Sequence, residues 1–280
     1  MKSRFFLCVL MISLSAFGYE IAVAQEIKQV AITIDDLPFV GSANNHPGKL
    51  RRERERFIAI METLKEKNAP ATGFVIAGTI EKDQWELLES FAQAGFTIGN
   101  HTYSHPSLNR ISAESYIDNI AKADKILEPI ISNPKYFRYP YLAESTGQKK
   151  QQVYDYLKEK DYIIAPVTID SKDFKFNNQL FRIPYRQRPA NLPALKKRYL
   201  TYIWKQTQRA ERISAKNGEP NQHILLIHAN LINAHAIGDI IDMYRQNGYT
   251  IVSLDTVMKA RQEQQHEHGL PPVHAKTEGF

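Results

Sequence analysis

The sequence predicts an α/β fold, a distorted (β/α)7 barrel forming a single catalytic domain with one loop-helix insertion. Three observations carry that expectation. Short apolar runs rich in β-branched residues alternate with stretches of helical periodicity from Ile27 onward, the rhythm of a parallel sheet wrapped by helices. A chain of 280 residues has room for one such barrel. Chemistry-bearing side chains stand at the carboxyl ends of several of the runs, where barrels gather their reacting groups.

In chain order, Lys2 and Arg4 precede the apolar run Phe5 to Phe17, and Ala22-Val23-Ala24 supplies the small residues a signal peptidase reads. Residues 1–24 are therefore expected to be an export signal, with a mature chain that is periplasmic or secreted. Nothing after the signal is apolar over the roughly 20 residues a membrane helix needs, so no transmembrane segment is expected in the mature chain. The single cysteine, Cys8, falls in the signal, which excludes disulfides, thiol nucleophiles and thiolate metal sites afterwards. The catalytic domain is expected over 25–258. Its strands are read near Val30 to Ile34, Thr72 to Ile76, Phe96 to Gly99, Tyr136 to Arg138, Tyr162 to Val167, Ile224 to Ile227 and Thr250 to Val252. Between them Leu50, Phe57, Ile60, Met61 and Leu64 repeat at helical spacing. So do Trp85, Leu88 and Phe91, and Tyr116, Ile120 and Leu127 after the capping Ser112. Residues 175–221 break the rhythm: prolines at 184, 189 and 193 predict an irregular start, followed by a helix with the apolar stripe Leu195, Tyr199, Tyr202, Ile203, Ala210 and Ile213. Residues 259–280 are polar and predicted to fray as a tail, with His266 and His268 belonging to its composition instead of to a metal site.

Composition narrows the function classes. With 43% hydrophobic and 24% charged residues the chain is globular, not disordered or fibrous. The net charge of +6 is spread without a dense basic block, so nucleic acid is not an expected partner, while an anionic cell-surface polymer is compatible. Gly41 through Lys49 has the wrong spacing for a phosphate loop and carries Leu50 where a hydroxyl residue belongs.

Two strand ends carry the chemistry. Thr33-Ile34-Asp35-Asp36 sets two carboxylates side by side after an apolar strand, where their repulsion calls for a cation or for a role as a turn or helix cap. His101-Thr102-Tyr103-Ser104-His105 can bring two imidazoles to one side of a turn. One carboxylate and two imidazoles, with a coordination position left open, suit catalytic zinc or another divalent transition metal.

In order along the chain, these strings resemble the motifs of the polysaccharide deacetylases of the NodB-homology group, carbohydrate esterase family 4, over about residues 28–258. Thr33 to Asp36 resembles T-F-D-D, His101 to His105 resembles H-[ST]-x-x-H, and Arg138-Tyr139-Pro140-Tyr141 matches R-x-P-Y. Asp170-Ser171-Lys172-Asp173-Phe174 approximates D-x-x-D-W, and Leu226-Ile227-His228 is similar to the closing L-x-H. The resemblance implies a metal held by Asp36, His101 and His105, with Asp35 as the base. Arg138 would hold Asp35, the Tyr141 backbone N–H would face the developing oxyanion, and His228, oriented by Asp173, would protonate the leaving amine. Tyr141, Phe174 and Leu226 would line the substrate groove. Asp170 competes with Asp173 for the orienting role, and Arg182-Ile183-Pro184-Tyr185, a second R-x-P-Y string, lies on the wrong side of the aspartate motif. Leu37 stands where the family usually has Gly, with a reshaped groove floor as the expected consequence, and Phe174 replaces the usual Trp.

The implied function is removal of N-acetyl groups from a polymer of N-acetylhexosamine, either peptidoglycan or a chitin-like glycan. Rival readings are an O-acetyl polysaccharide esterase, a hydrolase of small amides or imides, and a non-catalytic glycan-binding barrel.

Overall fold

Val30 to Ile34 are buried on both faces, and that decides the position of the first strand, β1 (Gln29–Leu37), at the middle of the sheet. The computed structural model describes residues 27–39, 46–81 and 84–268. The expected signal segment, Gly41 and the end of the tail lie outside the described residues. β1 pairs along its length with β7 (Gln222–His228), while its other edge meets β8 (Thr250–Val252) at Gln29 to Ala31 and β2 (Ala71–Val75) from Ile32 onward. With β3 (Thr97–Asn100), β4 (Lys135–Phe137), β5 (Tyr162–Ile164) and β6 (Ile169–Asp170), the ladder runs β5-β4-β3-β2-β1-β7-β6, all parallel.

This seven-strand path is the expected distorted barrel, left without a ladder between β5 and β6. Two features between the fifth strand and β7 differ from the reading of the sequence. The fifth strand stops at Ile164 because Pro166, lacking an N–H, cannot continue it, and the two-residue β6 that follows is too short to show a period. The insertion begins as a helix, not an irregular stretch: α5 (Asp173–Arg182) turns Leu180 inward before a helical turn at Tyr185–Gln187 leads into the 30-residue α6 (Arg188–Asn217). Pro189 lies in the first turn of α6, where a missing N–H costs nothing, and only Pro193 sits inside that helix.

The remaining helices are α1 (Pro47–Glu66), α2 (Trp85–Gln93), α3 (Ala113–Leu127), α4 (Gly147–Glu159), α7 (Leu231–Gln246) and α8 (Leu254–His268). Ser112 accepts from the Ser115 N–H to start α3, and Asn230 accepts from the Asn233 N–H to start α7. Alternate residues of the strands enter different cores. Ile32, Leu225 and Ile227 pack outward on α1, α6 and α7, whereas Ala31, Phe74, Tyr136 and Ile224 face inward onto Leu254 and Val257 of α8. Helix α8 therefore belongs to the barrel. It also runs to His268, through residues 259–268 that read as tail, since Gln and Glu are good helix formers and polarity alone does not end a helix. Arg261 Nη2 donates to the Gln222 carbonyl, which ties this part of α8 to β7.

Candidate metal-dependent active site

Neighbouring residues of a strand point to opposite faces, so two consecutive aspartates reach one site only if the strand is broken between them. The β1–β2 register shifts between Ile34 and Leu37, and Asp36 takes a left-handed backbone with φ of 61°. Thr102, His105, Tyr141 and Lys172, in the loops after β3, β4 and β6, are left-handed too. Such concentrations of unfavourable backbone collect at functional sites. Leu37 is not among these left-handed residues, and its side chain is fully buried against Gly73.

Asp36, His101 and His105 come together, with one ligand atom of each lying within 4.8 Å of the others. Asp36 Oδ1 is 3.4 Å from His101 Nε2 and 3.2 Å from His105 Nε2. The Arg138 carbonyl, which can only accept, lies 2.8 Å from His101 Nδ1, so the His101 proton sits on Nδ1 and its Nε2 offers a lone pair to the cluster. Asp36 Oδ1 is buried and has no hydrogen-bond donor. A carboxylate oxygen between two imidazole nitrogens, that of His101 presenting its lone pair, is a donor set suited to a divalent cation such as zinc.

Asp35 takes a different partner. Arg138 is completely buried and its Nη1 donates to Asp35 Oδ1 at 2.8 Å and to Thr33 Oγ1 at 2.7 Å. Its Nε and Nη2 donate to the carbonyls of Ala165 and Pro166, across the gap between β5 and β6, and Phe74 stacks beneath the guanidinium at 4.2 Å. The arginine is thus held on every side, and Asp35 Oδ2 stays 3.9 Å from His101 Nε2.

His228 stands beside Asp35 in the β1–β7 register. Its Nδ1 is 2.8 Å from Asp173 Oδ1, and its backbone N–H donates to Asp173 Oδ2 at 2.6 Å. Asp170 instead binds Lys172, through both the backbone N–H and Nζ, which removes it from competition for His228. Burial works against the His228 imidazolium, but the charge and hydrogen bond of Asp173, with smaller help from Asp36 and Asp35, lift its pKa to about 10. Its Nε2 faces Asp36 Oδ2 at 3.8 Å.

The third strand-end loop brings Tyr141, 69% exposed, with its ring edge-on to His105 at 4.5 Å. In the helical turn at Pro140–Leu142 the N–H groups of Leu142 and Ala143 reach back to Tyr139 and Pro140. The carbonyl that Tyr141 would use in that series, on Arg138, is the one His101 Nδ1 approaches. Phe174 is exposed in the first turn of α5, and Leu226 is buried on β7 two residues before His228. Sequence reasoning placed Thr33 in a motif without a role of its own and missed Asn100, Asn233 and Tyr199 as site residues. Asn100 Oδ1 accepts the Thr102 N–H, and Asn233 Nδ2 donates to Asp173. Asn100 directly precedes His101, a usable signal; Asn233 and Tyr199 carry none, because their role exists only across α6 and α7.

The sequence model of the family described as polysaccharide deacetylase matches residues 22–165. Similar proteins include peptidoglycan-N-acetylglucosamine deacetylase of Bacillus cereus, 28% identical over 57% of this chain and 51% of its own. Chitooligosaccharide deacetylase of Azorhizobium caulinodans is 33% identical over 48% of this chain and 57% of its own. The first of these matches and the one to Arthroderma benhamiae chitin deacetylase, which covers 35% of that protein, mean that the chain spans about half or less of these curated relatives. Among solved structures, peptidoglycan deacetylase PdaC of Bacillus subtilis superposes with a TM-score of 0.56 at 21% identity, over 86% of this chain and 95% of that one. A pseudoenzyme of carbohydrate esterase family 4 from Bacillus anthracis superposes with a TM-score of 0.58 at 19% identity, over 83% and 66%. The matched half of the chain contains the two aspartates, His101, His105 and Arg138, hung on the fold these structures share, and the chain belongs to the polysaccharide deacetylase family, the NodB-homology group.

Proposed function

We propose that this protein is an exported, metal-dependent N-deacetylase acting on a glycan of N-acetylhexosamine units, peptidoglycan or a chitin-like polymer. The observation that carries the reading is the unsatisfied, buried Asp36 Oδ1 between two imidazole nitrogens, directly beside a second carboxylate already neutralised by Arg138. Asp36, His101 and His105 would hold the cation, zinc by the chemistry of the donors. A bound cation supplies Lewis-acid polarisation of a carbonyl and makes water more acidic.

The chain's own groups do the rest. Asp35, kept off the ligand cluster by its pairing with Arg138, accepts a proton from the attacking water. The Tyr141 backbone N–H donates to the oxygen on which negative charge develops; a donor of this kind is typically worth about 2.7–4 kcal/mol of barrier. His228 holds one proton on Nδ1 against Asp173 and a second on Nε2, which it gives to the departing amine. An amine needs this proton, whereas an activated alcohol does not. Tyr141 and Phe174, both exposed, would supply apolar surface to the sugar, with Leu226, buried on β7, as part of the same lining. The deacetylases named among the relatives act on peptidoglycan and chitin, in keeping with this substrate class.

The test is acetate release from chitooligosaccharides, peptidoglycan and acetylated xylan, with and without chelator. Release from the N-acetylated polymers, abolished by chelator and restored by zinc, is expected. Release from acetylated xylan alone would make the protein an O-acetyl esterase. Glycan binding without turnover in the zinc-loaded protein would make it a non-catalytic relative.

A further inference from the structure

The inserted helix α6 reaches the site through a buried chain of hydrogen bonds. Tyr199 is completely buried on α6, and its hydroxyl donates to Asn233 Oδ1 at 2.8 Å. Asn233, also completely buried, gives its amide hydrogens to Asp173 Oδ2 at 2.6 Å and to the His228 carbonyl at 2.9 Å. Both of those partners can only accept. Turning the Asn233 amide over would set its oxygen against two acceptors and its NH2 against the Tyr199 hydroxyl, so only one orientation satisfies the group. Burial and the nearby Asp173 keep the Tyr199 hydroxyl protonated, in keeping with its role as donor. Asp173 is in turn clamped at both oxygens: Oδ2 by Asn233 and the His228 N–H, Oδ1 by His228 Nδ1.

We infer that Tyr199 and Asn233 are positioning residues for His228, so that the insertion between β6 and β7 sets the direction of the proton donor. The inference rests on the acid role of His228 proposed above. With Asp173 immobilised from behind, Nδ1 keeps its proton and Nε2 is the nitrogen left to the groove. A loosened Asp173 lets the imidazole turn, and the cost falls on substrates whose leaving group needs a proton.

Tyr199→Phe removes only the hydroxyl and keeps the ring that packs on Phe176 at 5.0 Å; Asn233→Leu removes the whole link at similar volume. In the zinc-loaded full chain, kcat on an N-acetyl chitooligosaccharide is expected to fall about tenfold in Tyr199→Phe and about a hundredfold in Asn233→Leu. KM should stay within about twofold, and kcat on an activated aryl acetate within about threefold, because that leaving group departs unprotonated. Proton NMR supplies a readout independent of turnover: the His228 Nδ1–H resonance, assigned by its disappearance in His228→Gln, should move in both variants. Equal losses on amide and ester, or an unmoved resonance, overturn the inference. Should Asn233→Leu fail to fold, Tyr199→Phe decides alone. Should the wild-type protein release acetate from neither substrate, the functional reading falls, while the resonance still tests the positioning.

Discussion

Asp35 and Asp36 are chemically identical neighbours whose surroundings separate them. One is bound to a buried guanidinium, the other faces two imidazoles. Asp35→Asn should therefore lower acetate release by about 10²–10⁴-fold, the usual range for a lost general base. Zinc content measured on the same sample should be unchanged; full activity in that variant would remove Asp35 from the mechanism. Arg138→Met tests the other half of the pair. It strands a buried carboxylate and the carbonyls of Ala165 and Pro166, so a loss of about 3–5 kcal/mol in urea unfolding is expected. A stability equal to wild type would mean that the guanidinium does not hold the site together. The motif residues were legible in the sequence because each stands at a strand end. The supporting roles of Thr33 and Asn233 were not, since nothing in a linear string shows which hydroxyl or amide will lie behind a charged partner.

At the scale of elements, the loop that carries His101 and His105 is held by the helical turn after β2. The N–H groups of Ala77 and Gly78 donate to the carbonyls of Thr102 and Tyr103. A Cβ on Gly78 would come within 2.4 Å of the Tyr103 carbonyl oxygen, which is backbone and has little room to yield. Gly78→Ala should push the loop outward and weaken zinc binding about tenfold or more, as disturbed support of metal ligands commonly does. Calorimetric titration of metal-free protein checks this, and unchanged affinity would show that the loop is held elsewhere. The strands were readable because buried parallel strands are short, apolar and β-branched. Helix α5 was not, since proline 184 suggested an irregular stretch although it falls just after the helix ends. The polar end of α8 was obscured in the same way by composition.

For the whole molecule, the sheet has the candidate site at the carboxyl ends of the strands and a different polar cluster at the start of β7. There His223 is completely buried, neither ring nitrogen has a partner, and burial, reinforced by Arg261 and Lys28 against the pull of Glu211, lowers its pKa to about 4. Because the unfolded chain binds that proton more tightly, the stability this site contributes is complete above pH 6.5. It is lost as pH falls toward 4, to the extent of about 3 kcal/mol. His223→Leu should flatten that part of the unfolding profile relative to wild type, and parallel profiles would exclude His223 as the cause. No helix among the described residues is long and apolar enough to cross a membrane.

The proposed function needs a single divalent ion held by Asp36, His101 and His105, and the metal content of purified protein after dialysis against zinc tests it. One zinc per chain is expected in the wild type, with none retained in Asp36→Ala or His105→Ala. A wild-type protein without zinc, or an Asp36→Ala variant that keeps it, would contradict the account.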